Sequence, residues 1–460
     1  MSGIEKESSK RKVEIENKED KTSKNRSEKD LLNDVNENIQ IQANKVIYFK
    51  IVYNEKDFEN FQNMNFINCF QPTYTYELFA NEIIHGYKGL KILISLTPKT
   101  FYAHINIKYS HKLPLCDNLE EIFANHFNNR YTTDKNIFIS ELKKDNDLQK
   151  QKGKLIYEKE NRKIYNIDIL NDDFTSESYS LQALCTFFID AASFIPLETN
   201  FWGYFLVIEY YNEKVNNINN LGKNWHTIGF TSYKNFHIEY NKYYTMLSQF
   251  LVLPIYQRKG VGTFLLENFY KYSFKEDKSC LEVTTEDPDI EFILMRDYTI
   301  CKILINEKFC DNLLKSFKGK VINSKDIYDK FILEKKELSK ICKKLKLQEN
   351  LINRAFEIIK YGLVANNKEL SPLFEKEKKA NMIKMFEENS FENIKLKRCR
   401  GPFIFFHDEI DYDYKKDYQE ESSLPNDKRV EMLYPEYIAD IEKITPKVYE
   451  MVLDYKSKLH

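Results

Sequence analysis

The chain has 460 residues, which predicts two or three domains rather than one. Its 69 Lys and Arg against 70 Asp and Glu give a net charge of −1, which excludes binding of nucleic acid by bulk positive charge. Hydrophobic residues make up 42% of the chain and aromatic residues 14%, which excludes a chain that is disordered throughout.

The N-terminal stretch, residues 1–44, is charged, rich in Ser and Asn and almost free of aromatic residues, which predicts a disordered tail. It contains the basic cluster Lys10-Arg11-Lys12, which fits either a nuclear import signal or solvated surface charge. The polar start predicts no signal peptide, and no apolar run approaches the roughly 18 residues that a membrane-spanning helix needs. The eight cysteines form no C-x-x-C pair, so we expect reduced thiols, an intracellular protein and no metal site.

Residues 45–165 are predicted to form a small mixed domain, because strand-like runs begin abruptly at Val46 and recur between turn signals. These runs cover residues 46–53, 86–94 and 102–107. A charged stretch near 143–154 precedes the expected domain boundary.

Residues 166–330 are predicted to form a second domain, in which several strands precede one helix and another strand follows it. The β runs cover 204–211, 226–233, 249–254 and 281–285. Pro254 stops the third run, and apolar residues then recur at helical spacing over 263–274. This order of elements predicts an α+β fold with a mixed β-sheet.

The remainder of the chain is predicted to be largely helical. Charged, amphipathic segments at 334–346 and 350–364 indicate a helical domain over residues 331–400. Residues 401–460 are predicted to form a polar extension with one final helix near 435–458.

The most informative segment joins the third strand of the second domain to its helix. It reads Leu253-Pro254-Ile255-Tyr256-Gln257-Arg258-Lys259-Gly260-Val261-Gly262-Thr263. The first N–H groups of a helix have no partner within it and carry the positive end of its dipole, so they attract anions. Glycines let a phosphate approach the backbone, and Arg258 and Lys259 add positive charge. The segment lacks the Walker A and three-glycine dinucleotide patterns, so it predicts another kind of pyrophosphate site, or else an ordinary helix start with a chance pair of glycines.

The pattern Q-x-x-G-x-G after a strand resembles the acetyl-CoA-dependent N-acetyltransferases of the GNAT superfamily. Further segments are similar to the catalytic subunit of type B histone acetyltransferases, and they are spread from about residue 45 to residue 385. They cover residues 74–79, 86–92, 188–195, 249–254, 285–288, 294–297 and 344–347. The resemblance implies a GNAT-type catalytic domain, preceded by a small α/β substrate-binding domain and followed by a helical C-terminal domain.

Acetyl transfer to lysine requires a base. The amine has a pKa of about 10.4, so the neutral nucleophile costs roughly 4.6 kcal/mol at pH 7. Glu286 follows the strand after the phosphate-binding helix, and the resemblance implies that it is the general base, with Asp287 as a second carboxylate. Asp190 stands where the family usually has Glu, and is either an assisting base or a surface acid. Cys280 is either an acyl-accepting nucleophile or a buried strand cysteine, and no His is visibly placed to activate it.

The resemblance also implies binding residues. Backbone groups of Phe250, Leu251 and Val252 are expected to hold the pantetheine arm of acetyl-CoA. The pyrophosphate is expected at Gln257, Arg258, Lys259, Gly260, Val261, Gly262 and Thr263. Phe292 either packs on the cofactor or belongs to the core. Glu82, Tyr233, Asn235 and Phe236 fall where the family contacts the histone tail, or are ordinary loop and strand residues.

The resemblance therefore implies a metal-free histone acetyltransferase, which transfers acetyl directly from acetyl-CoA to lysines in the N-terminal tail of newly made, free histone H4. The resemblance implies a WD-repeat histone-binding chaperone as partner and residence in the nucleus and cytoplasm, with no direct contact to nucleic acid or membrane. Two alternatives remain: a GNAT enzyme for another protein or a small amine, and a catalytically silent histone-binding module.

Overall fold

The computed structural model describes most of the chain between residues 39 and 457. The described ranges are 39–170, 172–196, 201–211, 224–311, 314, 325–388 and 425–457. The basic cluster at 10–12 lies outside them, as do most of the predicted tail at 1–44 and residues 401–424 of the predicted extension.

The N-terminal part forms a four-stranded mixed sheet with helices around it. In chain order its elements are β1 (Gln40–Gln42), α1 (Ala43–Val46), β2 (Ile47–Ile51), α2 (Glu55–Gln62), β3 (Ile83–His85), β4 (Tyr87–Lys88), β5 (Lys91–Leu96), β6 (Ala103–Lys108), β7 (His111–Lys112), α3 (Leu119–Phe127), β8 (Tyr131–Thr132) and α4 (Lys135–Asp147). The sheet order is β2-β5-β6-β8, in which only the central β5–β6 pair is antiparallel. Asn54 and Asp134 start α2 and α4 by accepting hydrogen bonds from first-turn N–H groups.

A six-stranded sheet forms the centre of the molecule. Its elements are β9 (Lys154–Lys159), β10 (Arg162–Asp168), α5 (Thr175–Phe188), β11 (Trp202–Tyr210), β12 (Trp225–Glu239), β13 (Lys242–Val252), α6 (Val261–Lys275), β14 (Cys280–Thr285) and α7 (Ile290–Asn306). The strand order is β14-β13-β12-β11-β10-β9, and every pair is antiparallel except β13–β14. That parallel pair needs a crossover connection, which α6 supplies. Because β9 begins at residue 154, the central sheet extends across the expected boundary at 165.

The central sheet is apolar on both faces. Phe205 and Val207 of β11 belong to a core shared with α6, α7 and the C-terminal helices, whereas Leu206 and Ile208 belong to a core shared with α5 and the N-terminal sheet. Successive strand residues point to opposite faces, so one strand serves both cores. The N-terminal sheet therefore packs directly on the central one.

The C-terminal part is helical and packs on α7. Its helices are α8 (Lys325–Lys330), α9 (Lys335–Leu345), α10 (Glu349–Val364), α11 (Ser371–Glu388), α12 (Asn426–Glu442) and α13 (Thr445–Ser457). Arg354 of α10 lies 2.5 Å from the buried Asp297 of α7, and the Tyr361 hydroxyl donates to Glu442 at 2.6 Å. The described part of the predicted extension holds two helices, α12 and α13, and they bury apolar side chains such as Val448.

The α+β class with mixed sheets is confirmed. None of the helices in the described part of the chain combines the length and apolar character needed to cross a membrane.

Candidate active site

A β-bulge in β13 marks the point where β13 and β14 separate and leave an opening in the central sheet. Leu247 stands opposite Tyr233 and Phe250 opposite Thr231, so Ser248 and Gln249 together face one residue of β12. The ladder to β14 ends here: Leu247 pairs with Thr285, and the Glu286 N–H donates to the Leu247 carbonyl at 2.8 Å. Beyond this point β13 continues alone on that side among the described strands. Bulges commonly redirect a strand in this way beside active sites.

The bulge also changes which residues of β13 direct their backbone groups outward. The Leu253 N–H donates to the Ile228 carbonyl of the β12 side at 3.1 Å, and antiparallel pairs alternate between bonded and non-bonded residues. The backbone N–H and C=O groups of Leu251 therefore face β12, whereas those of Phe250 and the N–H group of Val252 face the opening. An extended arm bound there would pair with Phe250 and Val252 rather than with all three predicted residues.

The turn after β13 is closed by its own side chains. The Gln257 amide donates to the Val252 carbonyl at 2.9 Å, and the Lys259 ammonium donates to the Ile255 carbonyl at 2.8 Å. Gln257 thus shapes the loop by binding the end of β13. Tyr256, within the same turn, shares a 2.9 Å hydroxyl hydrogen bond with Tyr53 of the N-terminal part.

The start of α6 is open to a ligand. Gly260 adopts a left-handed backbone with φ +75°, and a Cβ placed on it would meet no described atom within 4 Å. Within the described ranges, no side chain caps this helix. The N–H groups of Val261, Gly262 and Thr263 therefore begin a 15-residue helix without a side-chain acceptor, as an anion site requires.

Arg258 lies beside this helix start, with its Nη2 atom 2.8 Å from Glu291 Oε2 on the first turn of α7. The two side chains are 84% and 63% exposed. An exposed ion pair contributes only about 0–1 kcal/mol of stability. Arg258 can therefore leave Glu291 and bind a pyrophosphate with little loss of free energy.

An apolar wall lies between the loop and α7. The rings of Phe250 and Phe292 meet edge to face with centroids 5.2 Å apart. A Cβ at Gly262 would lie 2.6 Å from the Met295 sulfur and 3.7 Å from the Phe250 ring, so Gly262 allows α6 and α7 to approach closely. Phe292 is half-buried in this wall, next to the outward-facing backbone of Phe250.

Glu286 and Asp287 lie at the opening, directly after β14, and both side chains are exposed. The Ser248 hydroxyl, on the bulge, donates to Glu286 Oε2. Asp287 has a left-handed backbone with φ +27°, an uncommon conformation for a non-glycine residue. The chain therefore turns sharply after Glu286, before Asp289 caps α7 by accepting from the Phe292 N–H at 2.6 Å.

Acidic and aromatic side chains from three parts of the chain meet nearby. The Tyr76 hydroxyl donates to Asp190 Oδ1 at 2.7 Å and accepts from the Ala191 N–H. Desolvation and this bond to Asp190 raise the pKa of Tyr76 to about 12. Desolvation also raises the pKa of Tyr74, and the charges of nearby carboxylates raise it further. Those carboxylates are Asp190, Asp289 and Glu82.

Glu82 has an internal role. Its Oε1 atom accepts from the Thr75 N–H at 2.7 Å and from the Thr75 hydroxyl at 3.2 Å. These bonds hold the turn that carries Tyr74 and Tyr76, so Glu82 shapes the acidic region as well as contributing charge to it.

The three substrate residues predicted on β12 do not share one face. The Tyr233 ring contacts Phe205 and Phe269 on the α6 side of the sheet, and its hydroxyl donates to Asn166 at 2.8 Å. Asn235 accepts from Thr245 at 2.8 Å. Phe236 is exposed on the other face, where the Lys234 ammonium lies over its ring.

This arrangement predicts separate effects for Tyr233 and Phe236. Tyr233→Phe removes a hydrogen bond, so the free energy of unfolding should fall by about 1 kcal/mol in denaturant titrations while the KM for a tail peptide stays constant. Phe236→Ala provides the comparison, since it should leave stability nearly unchanged. A raised peptide KM in Tyr233→Phe at unchanged stability would contradict the structural role.

Cys280 is unsuited to be a nucleophile. It is buried, its thiol donates to the Glu282 carbonyl at 3.5 Å, and burial raises its pKa. A reactive cysteine needs the opposite shift, toward the thiolate. Among the described residues, no group of His, Cys, Asp and Glu side chains is arranged to hold a metal ion.

Sequence reasoning missed Ser248, Tyr74 and Tyr76 as site residues. Tyr74 and Tyr76 stand in a segment that was recognised only for its family resemblance, and Ser248 stands one position before a quoted strand. Their contacts cross from one part of the chain to another, so local periodicity carries no signal for them.

Comparisons with known proteins point to one family. Residues 39–190 match the family model described as "Histone acetyl transferase HAT1 N-terminus". The human histone acetyltransferase type B catalytic subunit is 28% identical over 365 residues, which are 75% of this chain and 82% of that protein. The Candida albicans protein of the same name is 30% identical over 311 residues, covering 63% of this chain and 70% of that protein.

Proposed function

Since this chain belongs to the family of type B histone acetyltransferase catalytic subunits and is an acetyltransferase of histones, we propose that it acetylates lysines in the N-terminal tail of free, newly made histone H4. One observation carries the proposed mechanism: Glu286 stands where β13 and β14 separate, the outward backbone of β13 runs along the opening, and β13 leads through one turn to the uncapped start of α6. The catalytic domain, residues 166–330, is proposed to be of the GNAT type. The sequence of β13, α6, β14 and α7 supports that arrangement.

Glu286 is the proposed general base. The carboxylate takes a proton from the lysine ammonium, directly or through water, and the neutral nitrogen then forms the new C–N bond to the acetyl carbon. The C–S bond of the thioester breaks, the sulfur leaves as the thiol with the second proton of the amine, and Glu286 releases the first proton to solvent. Asp190 and Asp287 are proposed to attract the lysine ammonium to the site by their negative charge before acetyl transfer. Asp190 is also a candidate assisting base.

The residues present fit acetyl-CoA, the acetyl donor. Phe250 and Val252 offer backbone groups to an extended amide-bearing arm, and Phe292 offers an apolar edge beside them. The first N–H groups of α6 and the exposed Arg258 suit the two phosphates of the pyrophosphate. No metal is required in this proposal.

The tail is proposed to lie across the region of Glu82, Asp190 and Phe236. A histone tail is basic, and the carboxylates around Tyr74 supply a local negative patch on a chain of nearly zero net charge. A WD-repeat histone-binding chaperone as partner, and residence in nucleus and cytoplasm, are proposed from the family resemblance alone.

Glu82→Gln separates the charge of Glu82 from its bonds to Thr75, because Gln keeps an acceptor oxygen. If the charge attracts the tail, the KM for a tail peptide should rise about two- to fivefold at low salt, the range of an exposed charge pair. The increase should shrink as salt rises, and acetyl-CoA affinity should not change.

Glu141→Gln is the matched control, because it neutralises another exposed acid of the N-terminal part, one that pairs with Lys144. Equal peptide KM values for Glu82→Gln and Glu141→Gln at low salt would place the acidic contact elsewhere.

Mass spectrometry of core histones after incubation with the enzyme and acetyl-CoA tests the substrate. Acetyl groups on N-terminal lysines of H4 are the expected product. Preferential acetylation of polyamines or of another protein would favour a different GNAT acceptor, and absence of thioester cleavage would favour a silent histone-binding module.

A further inference from the structure

The Glu286 side chain projects from an exposed turn. Its backbone N–H is anchored to the Leu247 carbonyl, but three side-chain torsions separate the carboxylate from that anchor. A freely rotating carboxylate would spend little time in one productive orientation, and ordering it costs conformational entropy. A specific partner at the carboxylate would remove that cost before the substrate binds.

Ser248 is that partner, and the bulge fixes it in place. The preceding residue, Leu247, pairs with strands on both sides. The following residue, Gln249, is buried; its N–H donates to the Ser232 hydroxyl at 3.0 Å, and its side-chain amide donates to the Ser193 carbonyl at 2.8 Å. Ser248 is thus held from both neighbours while its hydroxyl reaches Glu286.

We propose that Ser248 is the positioning residue for the general base, an inference that rests on the proposed role of Glu286. The Ser248 hydroxyl donates a hydrogen bond to Glu286 Oε2 and retains its proton throughout the reaction. Its bond leaves Oε1 to accept the proton of the lysine ammonium. Ser248 contacts neither the tail nor the acetyl donor; it acts through the orientation of the carboxylate.

Ser248→Ala tests the proposal. The kcat for a tail peptide should fall about five- to twentyfold, because misplacing a catalytic group by a fraction of an ångström already costs rate. The KM values for peptide and acetyl-CoA should stay within about twofold, since the interaction is used in the transition state rather than for binding. Ser248→Thr retains the donor and should recover most of the lost kcat.

The decisive measurement is the double variant with Glu286→Gln. A glutamine takes no proton, so positioning it gains nothing, and adding Ser248→Ala should change kcat by less than about twofold. Ser110→Ala is the matched control, because it removes another serine hydroxyl, one bonded to the Lys88 carbonyl, and should leave kcat unchanged. Thermal unfolding of each variant identifies any loss of folded protein.

The outcomes separate the two claims. If Glu286→Gln is slow but Ser248→Ala turns over at the wild-type rate, the positioning role is wrong and the base stands. An equal loss from Ser248→Ala in the wild-type and Glu286→Gln backgrounds likewise overturns the positioning role. A wild-type rate in Glu286→Gln overturns the base itself.

Discussion

Replacing Glu286 by Gln is expected to lower kcat near neutral pH by about 10²- to 10⁴-fold, the usual contribution of a general base. The substitution keeps the shape of the side chain and an acceptor for the Ser248 hydroxyl, but it removes the proton acceptor. Acetyl-CoA affinity should hardly change, because the carboxylate lies at the end of β14 and the anion site at the start of α6. Single-turnover kinetics and calorimetry measure the two quantities.

The pH dependence of the same variant is a sharper test. If the chemical step limits, wild-type kcat should rise with pH and level off as the base loses its proton. The Glu286→Gln enzyme should keep climbing toward the amine's own pKa of about 10.4, since only spontaneous deprotonation then supplies the nucleophile. Should the variant keep the wild-type rate and plateau, the base is another group, and Asp287→Asn and Asp190→Asn identify which.

Gly260→Asp is expected to weaken acetyl-CoA binding by at least about tenfold, or 1.4 kcal/mol. The substitution places a carboxylate at the uncapped start of α6, where it competes with the pyrophosphate and repels it. Asp tolerates a left-handed backbone better than most residues, and the space around Gly260 is open, so the fold should survive.

Gly260→Asn is the control for the Gly260→Asp experiment. Asn has nearly the same size and the same tolerance of a left-handed backbone, but it carries no charge. Calorimetry should show a much smaller loss of affinity for Asn than for Asp. Unchanged affinity in a folded Gly260→Asp protein would remove the anion site from the start of α6.

Four of the six strands of the central sheet were predicted at least in part, whereas β9, β10 and the helices α5 and α7 were not. The expected helix at 263–274 is observed as α6 over 261–275, because one side of that helix remains polar. Helix α5 is buried over almost its whole length and α7 is covered by α6 and α10, so neither shows a clear polar face in the sequence. One final helix was expected near 435–458, whereas α12 runs from 426 to 442 through Pro435 and α13 follows from 445 to 457.

The candidate site was likewise predictable only in part. The place of Glu286 after β14 followed from the order of elements, but its contact with Ser248 depends on the register of two strands, which the sequence does not display. Tyr233, Asn235 and Phe236 were grouped because each falls where the family contacts the histone tail. In a strand, residues 233 and 236 point to opposite faces, so they cannot line one groove.

The central sheet is covered on both faces, and this limits which fragments of the protein can fold on their own. Without the N-terminal part, the buried Leu206 and Ile208 would share their core with α5 alone and lose the part of their cover that the N-terminal sheet supplies. A fragment starting near residue 166 should therefore aggregate rather than fold as a minimal enzyme. In evolutionary terms, the N-terminal part and the central sheet are not freely exchangeable modules, because a substitution on either side of their shared core has to preserve its packing.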